Sequence, residues 1–179
     1  NKLSKLRELL AKKGVGFYLQ PVHDEWMSEY PPACNRRVEW LSGFSGSAGL
    51  VVVTTDKAAI FVDGRYTLQA KQQVSGDYEV FNSADTTPQS WLAQQLKSDA
   101  KIGYDPKLYT KTMLEKFSCH PALVAGSGAK TTVINCDSRP RNKCGVTTLI
   151  SVANLIDELW ENRPSAPATK IFAHDIKYS

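Results

Sequence analysis

The clearest run of apolar positions predicts a hairpin of two buried strands. Leu50–Thr54 and Ala58–Val62 are apolar and rich in β-branched residues, and the three residues between them, 55–57, are polar. Two such runs joined by a short polar turn are typical of a β-hairpin. Directly after the hairpin, the spacing of apolar residues over 65–74 predicts a helix.

Helices and strands alternate along the rest of the chain. Further helices are predicted over 4–13, with Ser4 as N-cap and Gly14 as the stop, and over 154–160. Two more are predicted, one capped by Thr87 and one that begins at Thr110. Further strands are predicted over 15–19, 78–81, 101–104, 130–136 and 149–152. Hairpin-linked strands mixed with helix-linked strands indicate an α/β fold with a mixed β-sheet of about six strands flanked by helices. We expect a first domain over residues 1–153, and a linker and the start of another domain over 154–179, where Pro164 and Pro167 interrupt the pattern.

The segment from Pro21 to Pro32 is polar and aromatic rather than periodic. It contains three carboxylates, His23, Trp26 and Tyr30 between prolines. Such residues concentrated on a loop are typical of a functional site. The alternative is a surface loop with Trp26 and Tyr30 tucked beneath it.

Composition and charge exclude several classes of protein. The chain has 179 residues and a formal net charge of +4, and its basic residues are spread along the sequence without the stripe that nucleic-acid binders carry. No apolar run is long enough for a transmembrane helix, and no secretory signal opens the chain. Because the first residue is Asn1, we expect a piece excised from a longer protein. The four cysteines suggest free thiols in the reducing cytoplasm, although a Cys136–Cys144 bridge stays open.

The residue pattern contains no catalytic set. His23, His120 and His174 lie in separate segments, and Cys119-His120 are adjacent in sequence without any pattern that aims one at the other. The glycine-rich stretch 43–49 lacks the Gly-Lys-Ser/Thr ending of a phosphate-binding loop and precedes a strand. From the residues alone, the chain is therefore an α/β domain with one candidate loop.

Several motifs nevertheless resemble one known family. Trp40–Gly49 (Trp-Leu-Ser-Gly-Phe-Ser-Gly-Ser-Ala-Gly) and Asp63–Ala70 (Asp-Gly-Arg-Tyr-Thr-Leu-Gln-Ala) resemble the N-terminal domain of the creatinase, prolidase and aminopeptidase P family. Asp24–Tyr30 is similar to that family's Asp-x-His-x-Ser-Glu-Tyr segment, and Arg37 stands where the family has an arginine. Asn154–Pro164 resembles a segment of the three-domain aminopeptidase P branch.

The resemblance implies a parent enzyme that removes the N-terminal residue from peptides with proline second. It implies two divalent metals, manganese or zinc, in a C-terminal pita-bread domain that this chain does not contain. The chain would then contain no catalytic residue, metal site or cofactor. It would be a non-catalytic, cytoplasmic domain that shapes substrate access and helps to build a homodimer. Its partners would be the parent's own following domains and the peptide substrate, with neither nucleic acid nor membrane. The competing interpretation is a non-enzymatic peptide- or histone-binding module related to the large subunit of the FACT histone chaperone.

The resemblance also suggests roles for individual residues. The candidates for the substrate path are Asp24, Trp26, Glu29 and Arg37. Trp26 replaces a histidine that is frequent in the family, so it suits a hydrophobic wall for a proline ring better than a proton-transfer role. A second set of residues is expected to be structural. Gly43, Gly46 and Gly49 would allow close backbone turns, and Asp63, Arg65 and Tyr66 would form a network between a strand end and a helix start. Residues 133–145 do not align with the family pattern.

Overall fold

The computed structural model describes residues 1–95, 100–118 and 148–168. Its helices are α1 (Lys2–Lys13), α2 (Arg37–Ser42), α3 (Thr67–Gln73), α4 (Pro88–Gln95), α5 (Lys111–Ser118) and α6 (Leu155–Leu159). Its strands are β1 (Phe17–Pro21), β2 (Gly49–Thr54), β3 (Ala58–Val62), β4 (Glu79–Asn82), β5 (Lys101–Tyr104) and β6 (Thr148–Ser151). Short 3-10 turns cover Ala33–Asn35, Gly64–Tyr66 and Pro106–Leu108.

These strands form one mixed sheet in the order β4-β3-β2-β1-β5-β6. The central strands β1, β2 and β3 are antiparallel, whereas β4 runs parallel to β3, and β5 and β6 run parallel to β1 and to each other. The predicted mixed sheet of about six strands flanked by helices is confirmed, and so is the predicted hairpin, with β2 beginning one residue earlier than expected.

Two apolar layers cover the two faces of the sheet. Along β1, Tyr18 points into the layer that contains α1, α2 and α6, while Phe17 and Leu19 point into the layer that contains Trp91 of α4 and Phe117 of α5. Alternate residues of a strand point to opposite faces, so a strand buried on both sides is apolar throughout.

The first helix and the first strand both differ from the prediction. The side chain of Asn1, and not that of Ser4, caps α1 by accepting a hydrogen bond from the amide of Leu3 at 3.0 Å. The stop at Gly14 is confirmed, with a left-handed φ of 64°. The strand begins at Phe17 instead of residue 15 because the amide of Val15 donates to the carbonyl of Leu10 and closes the helix end.

The predicted cap Thr87 is confirmed, and Thr110, predicted to begin a helix, is the residue before α5 and caps it. The amide of Ser90 donates to the hydroxyl of Thr87, and the amide of Met113 donates to that of Thr110. Several predictions lie outside the described residues, among them the strand 130–136, the burial of Leu96, the Cys119-His120 pair, the Cys136–Cys144 bridge and any role of His174 or of residues 133–145. No helix of the described residues is both long and apolar enough to cross a bilayer.

The helix α6 packs into the core of the sheet. Leu155 and Ile156 have no exposed surface, and they belong to the same apolar cluster as Leu6 of α1 and Val38 of α2. Directly after α6, the ring of Trp160 stacks on that of Trp40 in α2, with centroids 5.5 Å apart. The domain boundary after residue 153 stays a prediction, and this packing makes it testable.

Candidate functional site

The loop between β1 and α2, residues 22–36, is built around a buried carboxylate. Asp24 has no exposed surface. Its Oδ1 accepts hydrogen bonds from the amides of Trp26 at 3.1 Å and Ser28 at 3.0 Å, and its Oδ2 accepts one from the side-chain amide of Asn35 at 3.3 Å. This arrangement is an Asx-type turn, in which an aspartate holds the backbone that follows it. At the base of the loop, Nε2 of His23 donates to the carbonyl of Leu108.

This turn places large apolar side chains in solvent. Trp26 is 74% exposed and Tyr30 76% exposed, while Met27 is half exposed and has a left-handed φ of 59°. The alternative interpretation, in which Trp26 and Tyr30 tuck beneath the loop, is therefore wrong. Exposed aromatic side chains grouped on one loop are unusual on a monomer surface and are typical of interaction sites.

Arg37 lies behind the loop and is only 3% exposed. Its Nε and Nη2 donate to the two carboxylate oxygens of Asp157 at 2.8 and 3.0 Å. Its Nη1 donates to Glu25 at 3.4 Å. A guanidinium bound at both oxygens of a carboxylate is the strong, geometrically specific form of ion pair.

Arg163 closes the same cluster from the other side. Its Nη1 lies 2.7 Å from Oδ2 of Asp157, its Nε donates to the carbonyl of Cys34, and its Nη2 donates to Oδ1 of Asn35. Asn35 therefore links Arg163 to Asp24. The carboxylate of Asp157 is shared by two arginines, which makes it the centre of the cluster.

Electrostatics agree with this geometry. Burial acts against the charged form of Asp24, but hydrogen bonds from Ser28, Asn35 and Trp26 outweigh burial and lower the pKa of this carboxyl below its ordinary value. Burial likewise acts against the charge of Arg37, and the carboxylates of Asp157 and Glu25 overcome it and raise the arginine's pKa. Both groups are therefore charged near neutral pH.

A second buried polar group fixes α6 to the sheet. Asn154 caps α6, since its Oδ1 accepts from the amides of Ile156 and Asp157. Its Nδ2 donates to Gln20 at the end of β1 and to Asp105 after β5, each at 3.1 Å. The helix end that carries Asp157 is therefore tied to two strands of the sheet.

The glycine-rich stretch lies beside the loop and is shaped by close packing. Gly43 ends α2 with a φ of 86°, and a Cβ there would lie 2.9 Å from the backbone oxygen of Gln73. At Gly46 a Cβ would lie 2.3 Å from the ring of the buried Phe44. The close turns expected at these glycines therefore have two causes. Gly43 has a left-handed backbone, and Gly46 and Gly49 pack tightly against the ring of Phe44.

Polar side chains join this stretch to the loop and to the end of β3. The hydroxyl of Ser47 donates to Glu29 at 3.3 Å and lies 2.9 Å from that of Tyr66. Asp63 accepts from the amide and from Nε of Arg65, and the side-chain bond to Arg65 is the main cause of the lowered pKa of Asp63. Asp63, Arg65 and Tyr66 therefore lie where a strand end meets a helical turn.

A small groove runs between the loop and the glycine-rich stretch. Its lining includes Glu29, Tyr30, Val22 and Phe44. It has room for about 100 Å³, less than the roughly 300 Å³ at which pockets for whole small molecules begin. The groove is large enough for one side chain of a longer ligand.

The four candidates for the substrate path thus separate into two pairs. Trp26 and Glu29 reach the surface, whereas Asp24 and Arg37 are buried in polar networks and support the loop from behind. Sequence reasoning missed Tyr30 as a surface residue of the groove. It also missed the roles of Asp157 and Arg163, because a partner 120 residues away from Arg37 leaves no local pattern.

Within residues 1–95, 100–118 and 148–168, no group of three or more His, Cys, Asp or Glu side chains could hold a metal ion. Cys34 is a buried free thiol.

The chain is similar to known proteins along nearly its whole length. Residues 2–130 match the model of the Creatinase/Prolidase N-terminal domain. Aminopeptidase P2 of Arabidopsis thaliana is 34% identical over 184 residues, which cover 99% of this chain and 23% of that protein. The probable Xaa-Pro aminopeptidase P of Aspergillus flavus is 34% identical over 182 residues, covering 99% of this chain and 25% of that protein. The chain thus spans about a quarter of the length of the curated relatives it matches.

Solved structures of related peptidases share the fold of this chain. The X-prolyl aminopeptidase of Caenorhabditis elegans, a cytosolic enzyme with a di-nuclear active site, superposes with a TM-score of 0.70 at 31% identity, over 92% of this chain and 26% of that one. The N-terminal domain of the cytoplasmic peptidase PepQ from Mycobacterium tuberculosis shares the fold, with a TM-score of 0.57 at 22% identity, over 88% of this chain and 97% of that domain.

Proposed function

Because this chain belongs to the creatinase/prolidase N-terminal domain family, we propose that it is the non-catalytic N-terminal domain of a longer Xaa-Pro aminopeptidase. The observation that carries the proposal is the match along nearly the whole chain to aminopeptidases that are about four times as long. The competing interpretation, a histone- or peptide-binding module related to the FACT large subunit, finds no support among these relatives.

The site supports a role in substrate access. The proposed substrate-facing surface consists of Trp26, Glu29 and Tyr30. The exposed indole offers a flat apolar wall against which a proline ring packs, and the groove beside Tyr30 receives a neighbouring side chain of the peptide. In this proposal Asp24 and Arg37 do not contact the substrate, because both are buried. They hold the backbone that presents the surface residues.

Further parts of the proposal concern the parent protein. Its catalytic metals, two manganese or zinc ions, would be held by a C-terminal domain and would activate water for attack on the imide bond. We propose a cytoplasmic location, in keeping with the cytosolic C. elegans relative, and we also propose that the parent is a homodimer. The described residues of this chain supply no cluster of ligands for these metals.

The first experiment compares the full-length parent with the 179-residue chain. Hydrolysis of an Xaa-Pro peptide is measured for both with manganese added, and with zinc in a parallel series. We expect metal-dependent release of the N-terminal residue by the parent alone. Cleavage by the isolated chain would contradict a non-catalytic domain, and inactivity of the parent in both metals would contradict the assignment to a peptidase.

The second experiment tests the surface residues in the parent. Trp26→Ser is expected to raise KM for Xaa-Pro peptides at least threefold with little change in kcat, and Trp26→Phe should restore most of the affinity. Glu29→Gln is paired with Glu79→Gln, which neutralises an exposed carboxylate on the strand β4. An unchanged KM in both Trp26→Ser and Glu29→Gln would remove this surface from the substrate path.

A further inference from the structure

We propose that Asp157 and Arg163 are positioning residues for the loop that carries Trp26. The geometry points to a closed ring of polar contacts in which Asp157 is joined to both ends of this loop. The inference rests on the proposed function only for what the loop does, since the ring itself is a property of this chain.

The first arm of the ring reaches the beginning of the loop. Asp157 binds Arg37 through both carboxylate oxygens, and the third nitrogen of the guanidinium contacts Glu25. Glu25 lies between Asp24 and Trp26 in sequence. The arm therefore ends on the residue next to the exposed indole.

The second arm reaches the end of the loop. Arg163 joins Oδ2 of Asp157 to the carbonyl of Cys34 and to Oδ1 of Asn35. The side-chain amide of Asn35 then donates to Asp24, whose other oxygen holds the amides of Trp26 and Ser28. Both arms thus meet at the turn that begins with Asp24.

The ring is anchored in the sheet through Asn154. The side chain of Asn154 accepts a hydrogen bond from the amide of Asp157 and donates hydrogen bonds to Gln20 and Asp105. The start of α6 therefore has a fixed place relative to β1 and β5. Because Asn154 binds the backbone amide of Asp157, the residue that carries the shared carboxylate keeps its place relative to β1 and β5.

Apolar packing alone would not fix the loop. Trp26 and Tyr30 are largely exposed and Met27 is half exposed, so these side chains contribute little buried area to hold the backbone between residues 24 and 30. The hydrogen bond from Ser47 to Glu29 fastens the far side of the loop. We infer that the ring around Asp157 fixes the other side of the loop, at residues 24–26, from which the indole of Trp26 projects.

The test is hydrogen exchange at single amides of the 179-residue chain. Asp157→Asn removes the charge that both arginines share and keeps the shape of the side chain. Glu158→Gln is the matched control, because it neutralises the next residue of the same helix, whose carboxylate pairs with Lys13 on the surface at 3.0 Å. The amides of Trp26 and Ser28 report on the loop, and that of Val52 reports on the sheet.

We expect Asp157→Asn to accelerate exchange of the Trp26 and Ser28 amides at least tenfold, with the Val52 amide changed less than threefold. Glu158→Gln should change none of them by more than threefold. Equal acceleration in loop and sheet, or loop amides within threefold of the wild type, would overturn the proposal.

A second variant keeps the test decisive if Asp157→Asn does not fold. Arg163→Met cuts only the second arm, and the same loop-selective acceleration is expected with a smaller factor, at least threefold. No acceleration in this variant would then overturn the ring. Exchange does not depend on peptidase activity, so an inactive parent would contradict the proposed function and leave this inference standing.

Discussion

The packing of α6 yields the sharpest prediction, because it decides whether residues after 153 belong to the folded domain. Ile156 has no exposed surface and lies in the same apolar cluster as Leu6 and Leu10 of α1. Ile156→Ala removes three buried carbon atoms, which at about 0.8 kcal/mol each accounts for roughly 2.5 kcal/mol. The cavity that remains adds to this loss, so we expect the free energy of unfolding to fall by about 3 to 4 kcal/mol.

The assays are urea unfolding and thermal unfolding of the 179-residue chain, both followed by far-UV circular dichroism. In a chain of this size each kcal/mol lowers Tm by about 2–4 °C, so Tm should fall by roughly 6–16 °C. Leu68→Ala is the matched control, because Leu68 is 76% exposed and its truncation should cost less than about 0.5 kcal/mol.

A loss below about 1 kcal/mol in Ile156→Ala, comparable with the control, would refute the reasoning. It would mean that α6 is not part of the cooperative unit, and the boundary after residue 153 would then be right. A loss in the predicted range would place the boundary after α6.

Three further predictions concern single residues and pH. Gly43→Ala should destabilise by more than about 1 kcal/mol in urea unfolding, because φ is left-handed and the new Cβ meets the backbone of Gln73, whereas Gly76→Ala, with open space at its Cβ, should cost less. Burial raises the pKa of Tyr78 above its ordinary 10.0, so the stabilisation of the folded state by this residue is present below pH 10 and is lost as the pH rises above 10. Tyr78→Phe should therefore flatten the fall of the urea midpoint above about pH 10. The lowered pKa of Asp24 means that its stabilisation is present above its ordinary 3.8 and is lost as pH falls below that value, so Asp24→Asn should flatten the acid limb of the same curve.

Local patterns predicted the elements whose causes are local. The hairpin of β2 and β3 followed from two β-branched runs and a polar turn, and the cap Thr87 followed from a residue type that accepts backbone hydrogen bonds. Asn1 was missed as the cap of α1 because Ser4 has the same chemistry, and only the burial of Leu3 distinguishes the two starting points. Alternation of apolar residues indicates a strand but does not fix its first residue to better than two positions.

The candidate site could be predicted only in part, because burial of charged residues depends on distant partners. The motif around Asp24 and Arg37 pointed to the loop between β1 and α2, but both side chains look like exposed polar residues in the sequence. Burial of Arg37 requires the opposite charge of Asp157, and burial of Asp24 requires the hydrogen bond from Asn35. No periodicity in the sequence relates residue 157 to residue 37. Trp26 illustrates the opposite case, since an apolar residue that sequence reasoning could place beneath the loop is exposed.

The helix α6 joins these two aspects of the molecule. Its residues Leu155 and Ile156 contribute to the apolar core, while the next residue, Asp157, holds two arginines beneath the loop. A buried guanidinium without its carboxylate is strongly destabilising, by about 3–5 kcal/mol. A chain that ended before α6 would therefore lose core packing and leave Arg37 with the weaker contact to Glu25. The core and the loop thus both contact the same short helix, so we expect truncation before α6 to weaken both of them.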